Sequence, residues 1–161
     1  FGLSMTKEQV TEEFDRIVSV EYLERIPPVP GAVEFVRQLS EQGTPMCVAT
    51  ATRRPLAQGA LQRLGLWEQM EFLITCDDLG CTKNDSTIFD YSADRMGLSK
   101  KEVVVIEDSL HSIQSAKGAG YPVIGIYEKS SEENGDLLQI QKLCDRFVMD
   151  YRELGRIWPL E

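Results

Sequence analysis

Apolar positions along this chain recur first at helical spacing and then in short continuous runs separated by helical stretches. Thr6 and Gln9 have the spacing of a capping box, and Val10, Phe14, Ile17, Val18 and Leu23 return at helical intervals. A helix from Thr6 to about Glu24 is therefore expected. The segment Pro27-Pro28-Val29-Pro30-Gly31 cannot continue it. This break predicts an N-terminal helical arm over residues 1–26 and a core over residues 27–161.

Beyond the break the pattern alternates regularly. Helices are expected at Ala32–Gln42, Pro55–Leu64, Thr87–Met96, Ser109–Ala119 and Glu132–Leu143, several of them stopped by a glycine. Between them lie apolar runs at Met46–Ala49, Phe72–Thr75, Val103–Ile106 and Pro122–Ile126, with a shorter one at Arg146–Val148. Val103–Ile106 does not alternate with polar residues, so both of its faces are expected to be buried. Strands alternating with helices of this length define an α/β fold: a Rossmann-like, mostly parallel sheet with helices on both faces. Ligands of such sheets sit outside the carboxyl ends of the strands. The residues that follow each run are thus the ones to search for chemistry.

Composition narrows the field. The chain has 161 residues, enough for one domain with a substantial core, and is 42% hydrophobic and 27% charged. No apolar run approaches the roughly 20 residues of a membrane helix, and no signal peptide opens the chain. A cytoplasmic protein without a membrane partner is expected. Seventeen basic against 26 acidic residues give a net charge of −9, which argues against nucleic acid as a partner. A small phosphorylated ligand stays open, because local donors can outweigh the overall field. Cys47, Cys76, Cys81 and Cys144 include no CxxC pair, and His111 is the sole histidine, which argues against zinc. Cys76 and Cys81, flanking Asp77 and Asp78, could form a disulfide or a metal pair. Reduced thiols are the expected state in a cytosolic protein.

Three strand ends carry candidate chemistry. Thr50, Thr52 and Arg53 follow the first run, where a hydroxyl and backbone N–H groups at a helix start can cradle phosphate. Alone, Thr52 could equally be a helix cap. Lys83 lies in a loop before a helix, placed either to neutralise a phosphoryl oxygen or merely to meet solvent. Glu107 and Asp108 directly follow Val103–Ile106. Two adjacent acids at the end of a buried strand are costly without a cation, and hard carboxylate oxygens suit Mg2+. The competing reading is that Asp108 or Ser109 only caps the next helix. In sequence the order is hydroxyl, lysine, acidic pair, each at a strand end. The hydroxyl and lysine would bind a phosphoryl group, and the acids would hold the metal that neutralises it.

That order resembles the second, third and fourth motifs of the haloacid dehalogenase superfamily, in its β-phosphoglucomutase-like phosphatase and phosphomutase branch. The resemblance runs from about residue 28 to 150. It is carried by Pro30–Ala32, by "VATAT" at Val48–Thr52, by "STIF" after Lys83 and by "IEDSLHSIQSAKGAG" at Ile106–Gly120. It implies that Thr50 donates its hydroxyl to the phosphoryl group with help from the backbone of Ala51. Thr52 and Arg53 would lie beside the transferred or a second phosphate, Lys83 would bridge phosphate and nucleophile, and Glu107 with Asp108 would bind Mg2+. Asn84 stands where the family usually has proline, and Asp85-Ser86 replaces its common turn.

The family's first motif is a strand ending in Asp-x-Asp, whose first aspartate is the nucleophile and whose second is the general acid and base. No Asp-x-Asp follows an apolar run here; Asp15 lies in the arm helix, and Asp77-Asp78 follows a different strand. By the resemblance, that strand would stand between the one ending at Thr50 and the one ending at Ile106. Without it these two are expected about 9–10 Å apart, with unpaired backbone groups facing the gap. A strand-completing segment or a partner chain is expected there, and the chain alone is expected neither to turn over nor to be a well-behaved monomer.

The implied function is Mg2+-dependent phosphoryl transfer, with a phosphatase of small phosphorylated metabolites such as sugar phosphates ahead of a sugar phosphomutase. A non-catalytic binding protein on the same fold is the alternative from another class. A phospho-receiver domain would place its acids before the hydroxyl and lysine, the reverse of the order here.

Overall fold

A computed structural model describes residues 6–158; the first five and last three positions of the predicted arm and core lie outside the described residues. The helix expected from Thr6 to about Glu24 forms. The helix α1, Lys7–Val20, starts at the Thr6–Gln9 capping box and runs on into one wider turn, Glu21–Arg25. Its apolar face meets solvent: Val10, Phe14 and Ile17 are 41%, 64% and 48% exposed. The arm grips the core through its wider turn, where Leu23 lies against Gly59 and Arg63 donates to the carbonyls of Tyr22 and Ile26.

The core follows as α2 (Ala32–Glu41), β1 (Cys47–Thr50), α3 (Arg54–Arg63), β2 (Phe72–Thr75), α4 (Cys76–Leu79) and α5 (Thr87–Met96). Then come β3 (Val105–Glu107), α6 (Leu110–Gly118), β4 (Val123–Ile126), α7 (Lys129–Glu133), α8 (Leu137–Leu143), β5 (Arg146–Val148) and α9 (Tyr151–Ile157). All strand pairs are parallel, and they form two sheets, β1–β2 and β3–β4–β5. Among the described residues, β1 pairs with β2 alone and β3 with β4 alone. Between the facing edges of β1 and β3 runs an apolar cleft of about 530 Å3, bordered by Met46, Val48, Val104 and Ile106 and floored by Phe35 and Trp158.

Side chains alternate between two helical layers, as a pleated strand requires. Val105 and Val123 point toward α5, α6 and α8, where Ile88, Ile113 and Ile140 are wholly buried. Ile124, Ile126 and Val148 point the other way, onto Phe35 and Leu39 of α2 and Leu154 of α9. Each such aliphatic side chain withdrawn from water contributes about 1.5–3 kcal/mol. These two layers hold the strand ends in place, and the strand ends carry the chemistry.

Several boundaries depart from the sequence pattern. The run Val103–Ile106 yields a ladder only from Val105, whose N–H donates to the Pro122 carbonyl; β4 offers no partner for Val103 and Val104, and their other side faces the cleft. The first run is registered one residue later than expected, Cys47 opposite Phe72. The helix expected over Glu132–Leu143 is two, α7 and α8, broken at Asn134-Gly135, where the Asp136 N–H turns back to the Ser131 carbonyl. Two helices had no apolar periodicity to announce them. The single turn α4 is held by a reciprocal Thr75–Asp78 capping box, and α9 by the Asp150 carboxylate, which accepts from the N–H groups of Arg152 and Glu153.

Candidate active site

The centre of the site is the carboxyl end of β3. Glu107 is buried, and each of its oxygens is occupied. Oε1 receives the Lys83 ammonium, while Oε2 accepts the N–H groups of Asp108 (2.8 Å) and Ser109 (3.2 Å) and the Ser109 hydroxyl (3.3 Å). Burial opposes ionisation here, but the Lys83 charge and these hydrogen bonds prevail and hold the carboxyl down at about 2. Lys83 comes from the loop between α4 and α5, so the end of β2 reaches across to the end of β3. The departures at Asn84 and Asp85-Ser86 leave this reach intact. Thr82 accepts the Asn84 N–H, and Asp85 accepts the N–H of Thr87 at the start of α5.

Asp108 behaves oppositely. Burial first, then the neighbouring Glu107, pushes its carboxyl up to about 6. A half-buried acid beside an ionised one favours whatever positive charge can sit between them, a proton or a cation. Ser109 occupies the N-cap position of α6, but neither it nor Asp108 caps the helix with its side chain, and the Ser109 hydroxyl lies 2.8 Å from that of Ser112. Among the described residues no three His, Cys, Asp or Glu side chains converge. Two adjacent hard carboxylates fit a largely hydrated Mg2+, which needs few protein ligands; they do not fit a fully caged metal.

The end of β1 supplies the other half. The Thr50 hydroxyl accepts the Thr52 N–H at 3.0 Å, which folds Thr50, Ala51 and Thr52 into a tight turn before α3. Thr52 is not a helix cap; α3 starts after Arg53 without a side-chain cap. Arg53 is held by Asp15 of the arm at 2.7 and 3.3 Å, and the Tyr22 hydroxyl lies 3.4 Å from that of Thr52. Cys47 and Ala49 of β1 and Glu107 of β3 line, with Lys83, one small recess of about 110 Å3 in the gap between the two strands. The structure therefore joins Lys83 to Glu107, with Asp108 beside it, and gathers Thr50, Ala51, Thr52 and Arg53 in the turn that follows β1.

Three neighbours escaped the sequence reading. Asp15 and Tyr22 come from the arm, across 38 and 30 residues. Tyr151 borders the cleft from α9, and burial first, then Asp108 and Glu107, pushes its phenol up to about 12. Only a signal linking distant segments could have found them.

A profile of haloacid dehalogenase-like hydrolases matches residues 3–120. Among characterised proteins, the phosphorylated carbohydrates phosphatase of Thermotoga maritima is 32% identical over 119 residues, covering 74% of this chain and 53% of that protein. Phosphoglycolate phosphatase of Pectobacterium atrosepticum is 30% identical over 116 residues, covering 71% and 50%. The crystal structure of a HAD phosphatase from Thermococcus onnurineus superposes with a TM-score of 0.73 at 22% identity, over 99% of this chain and 67% of that one, a likeness of fold. The chain belongs to the haloacid dehalogenase-like hydrolase family. It spans about half the length of these two phosphatases.

Proposed function

We propose that this chain carries the phosphate- and metal-binding part of a Mg2+-dependent phosphatase acting on a small phosphorylated metabolite such as a sugar phosphate. The observation that supports this most is the pairing of Lys83 with Glu107, next to Asp108, at the end of β3, beside a recess that β1 also lines. The phosphatase names of the relatives agree with it. Glu107 and Asp108 would hold Mg2+, which supplies charge neutralisation at the phosphoryl oxygens. The Thr50 hydroxyl and the backbone N–H of Ala51 bind the phosphoryl group, with Thr52 and Arg53 beside it. Lys83 holds Glu107 ionised and presents its remaining N–H donors to the recess. Its reach onto a nucleophile, which the resemblance implies, requires a carboxylate entering between β1 and β3.

No described residue puts a free carboxylate at that point, so a strand-completing segment or a partner chain would deliver it through the cleft. A second reading, a non-catalytic phosphate-binding protein, draws on the same two-acid site. The test is phosphate release from a panel of sugar phosphates with Mg2+, using the chain alone and a form in which an extended segment fills the cleft. Turnover by the filled form that disappears in Asp108→Asn and falls steeply in Thr50→Val is expected. Phosphate binding without release in either form would leave only the binding-protein reading. Full turnover by the chain alone would overturn the cleft-delivered nucleophile.

A further inference from the structure

Neither role proposed above uses the thiols that border the Lys83 loop. The single-turn helix α4 begins at Cys76 and is closed by Gly80, whose φ of +61° only glycine adopts without strain. The Cys81 N–H donates to the Cys76 carbonyl at 3.0 Å, and inside that bond the Gly80 N–H donates to the Asp77 carbonyl at 3.4 Å. These two nested bonds form the closure that brings the side chains before and after the turn against each other. Here those side chains are both cysteines. Cys76 is only 5% exposed, and Cys81 is half-buried against the same apolar cluster. The other cysteines lie elsewhere: Cys47 lines the recess between β1 and β3, and Cys144 stands over Gly125.

We propose that Cys76 and Cys81 are a redox modification site, closing to an intramolecular disulfide by exchange with a low-molecular-weight disulfide such as oxidised glutathione. The more accessible Cys81 attacks, as its thiolate, one sulfur of the glutathione disulfide and releases one glutathione. The Cys76 thiolate then attacks the Cys81 sulfur of the mixed disulfide and releases the second. Two protein thiols are oxidised, one glutathione disulfide is reduced to two thiols, and the two protein protons pass through solvent to the departing thiolates. The backbone needs little adjustment, because a bridge of this kind requires Cα atoms about 4.4–6.8 Å apart and the turn already draws the two ends together. Burial first, then the like charge of Cys81, raises the Cys76 thiol, while the Lys83 ammonium acts the other way. Cys81 lies two residues before Lys83, so the bridge fastens to α4 the loop that sets Lys83 on Glu107.

The bond itself does not depend on the phosphatase reading; only its consequence for Lys83 does. The whole chain is equilibrated with oxidised glutathione, its free thiols are blocked with N-ethylmaleimide, and it is digested with trypsin. The peptide 64–83 contains Cys76 and Cys81 and no other cysteine. It should emerge unblocked and lighter by two hydrogens, and doubly blocked if dithiothreitol precedes the maleimide. Cys81→Ser should leave Cys76 blocked by maleimide, whereas Cys47→Ser should leave the bridge intact. A peptide blocked at both cysteines after oxidation, a persistent glutathione adduct on Cys81, or a cross-link to Cys47 or Cys144 would each overturn the proposal.

Discussion

The Lys83 ammonium rests on the Glu107 carboxylate, the lysine 17% exposed and the glutamate 5%. Lys83 follows β2 and Glu107 ends β3, so this one ion pair links the two half-sheets at their carboxyl ends. Burying two charges is costly, and their attraction offsets that cost only because the second Glu107 oxygen is also satisfied, by Asp108 and Ser109.

Removing one partner strands the other. Lys83→Ala should lower stability by about 3–5 kcal/mol, because the buried Glu107 carboxylate loses its counter-charge. Lys83→Met combined with Glu107→Gln should recover most of the loss. Urea unfolding of the single and double variants measures the coupling, and additive effects would show that the pair is not the link.

Mg2+ and a proton compete for Asp108. Its carboxyl is raised to about 6, so Mg2+ affinity should climb as pH rises through 6 and flatten above it. Without the metal the sign for folding is the reverse. An acid raised in the folded state disfavours the fold once ionised, so stability should fall as pH rises from the ordinary aspartate range through 6. Asp108→Asn should remove both dependences and weaken Mg2+ at least tenfold, about 1.4 kcal/mol. Calorimetric titration with magnesium chloride across pH reads the affinity, and urea unfolding of the metal-free chain across pH reads the stability.

Asp78 has the opposite dependence. The Arg54 guanidinium first, then Thr75, holds its carboxyl at about 2. The stability it contributes is complete above the ordinary aspartate range and is lost as pH falls toward 2. Circular dichroism during acid titration should show Asp78→Asn less stable than the parent at neutral pH, with the difference closing toward pH 2.

Gly31 joins the arm to α2 under α9. Its φ is +82°, and a Cβ there would press on the backbone of Arg152 and lie 2.9 Å from the Tyr151 carbonyl carbon. The Tyr151 N–H also donates to the Pro30 carbonyl at 3.1 Å, so this backbone cannot easily withdraw. Gly31→Ala should cost about 1–3 kcal/mol and lower the thermal midpoint. Gly43→Ala, at a similar φ of +70° but in open space, separates the conformational part from the clash.

Local pattern was sufficient where local forces decide. Phe72–Thr75 and Thr87–Met96 formed with the bounds their apolar spacing predicts, and the Thr6–Gln9 box starts its helix. Thr50, Lys83, Glu107 and Asp108 could be singled out because parallel sheets bring their reactive positions to strand ends. Neighbours far apart in sequence could not be read this way. Nothing within Val103–Ile106 says that its first two residues find no ladder partner, since pairing belongs to the neighbouring strands.

By itself the sequence determined the order of the strands and of the longer helices between them and the residue types waiting at the strand ends, because periodicity and capping act within a few residues. Only the tertiary structure decided that Lys83 meets Glu107 and that Asp15 and Tyr22 overhang the Thr50 turn. These relationships depend on how two half-sheets and an arm are set against one another, and no local segment carries that information.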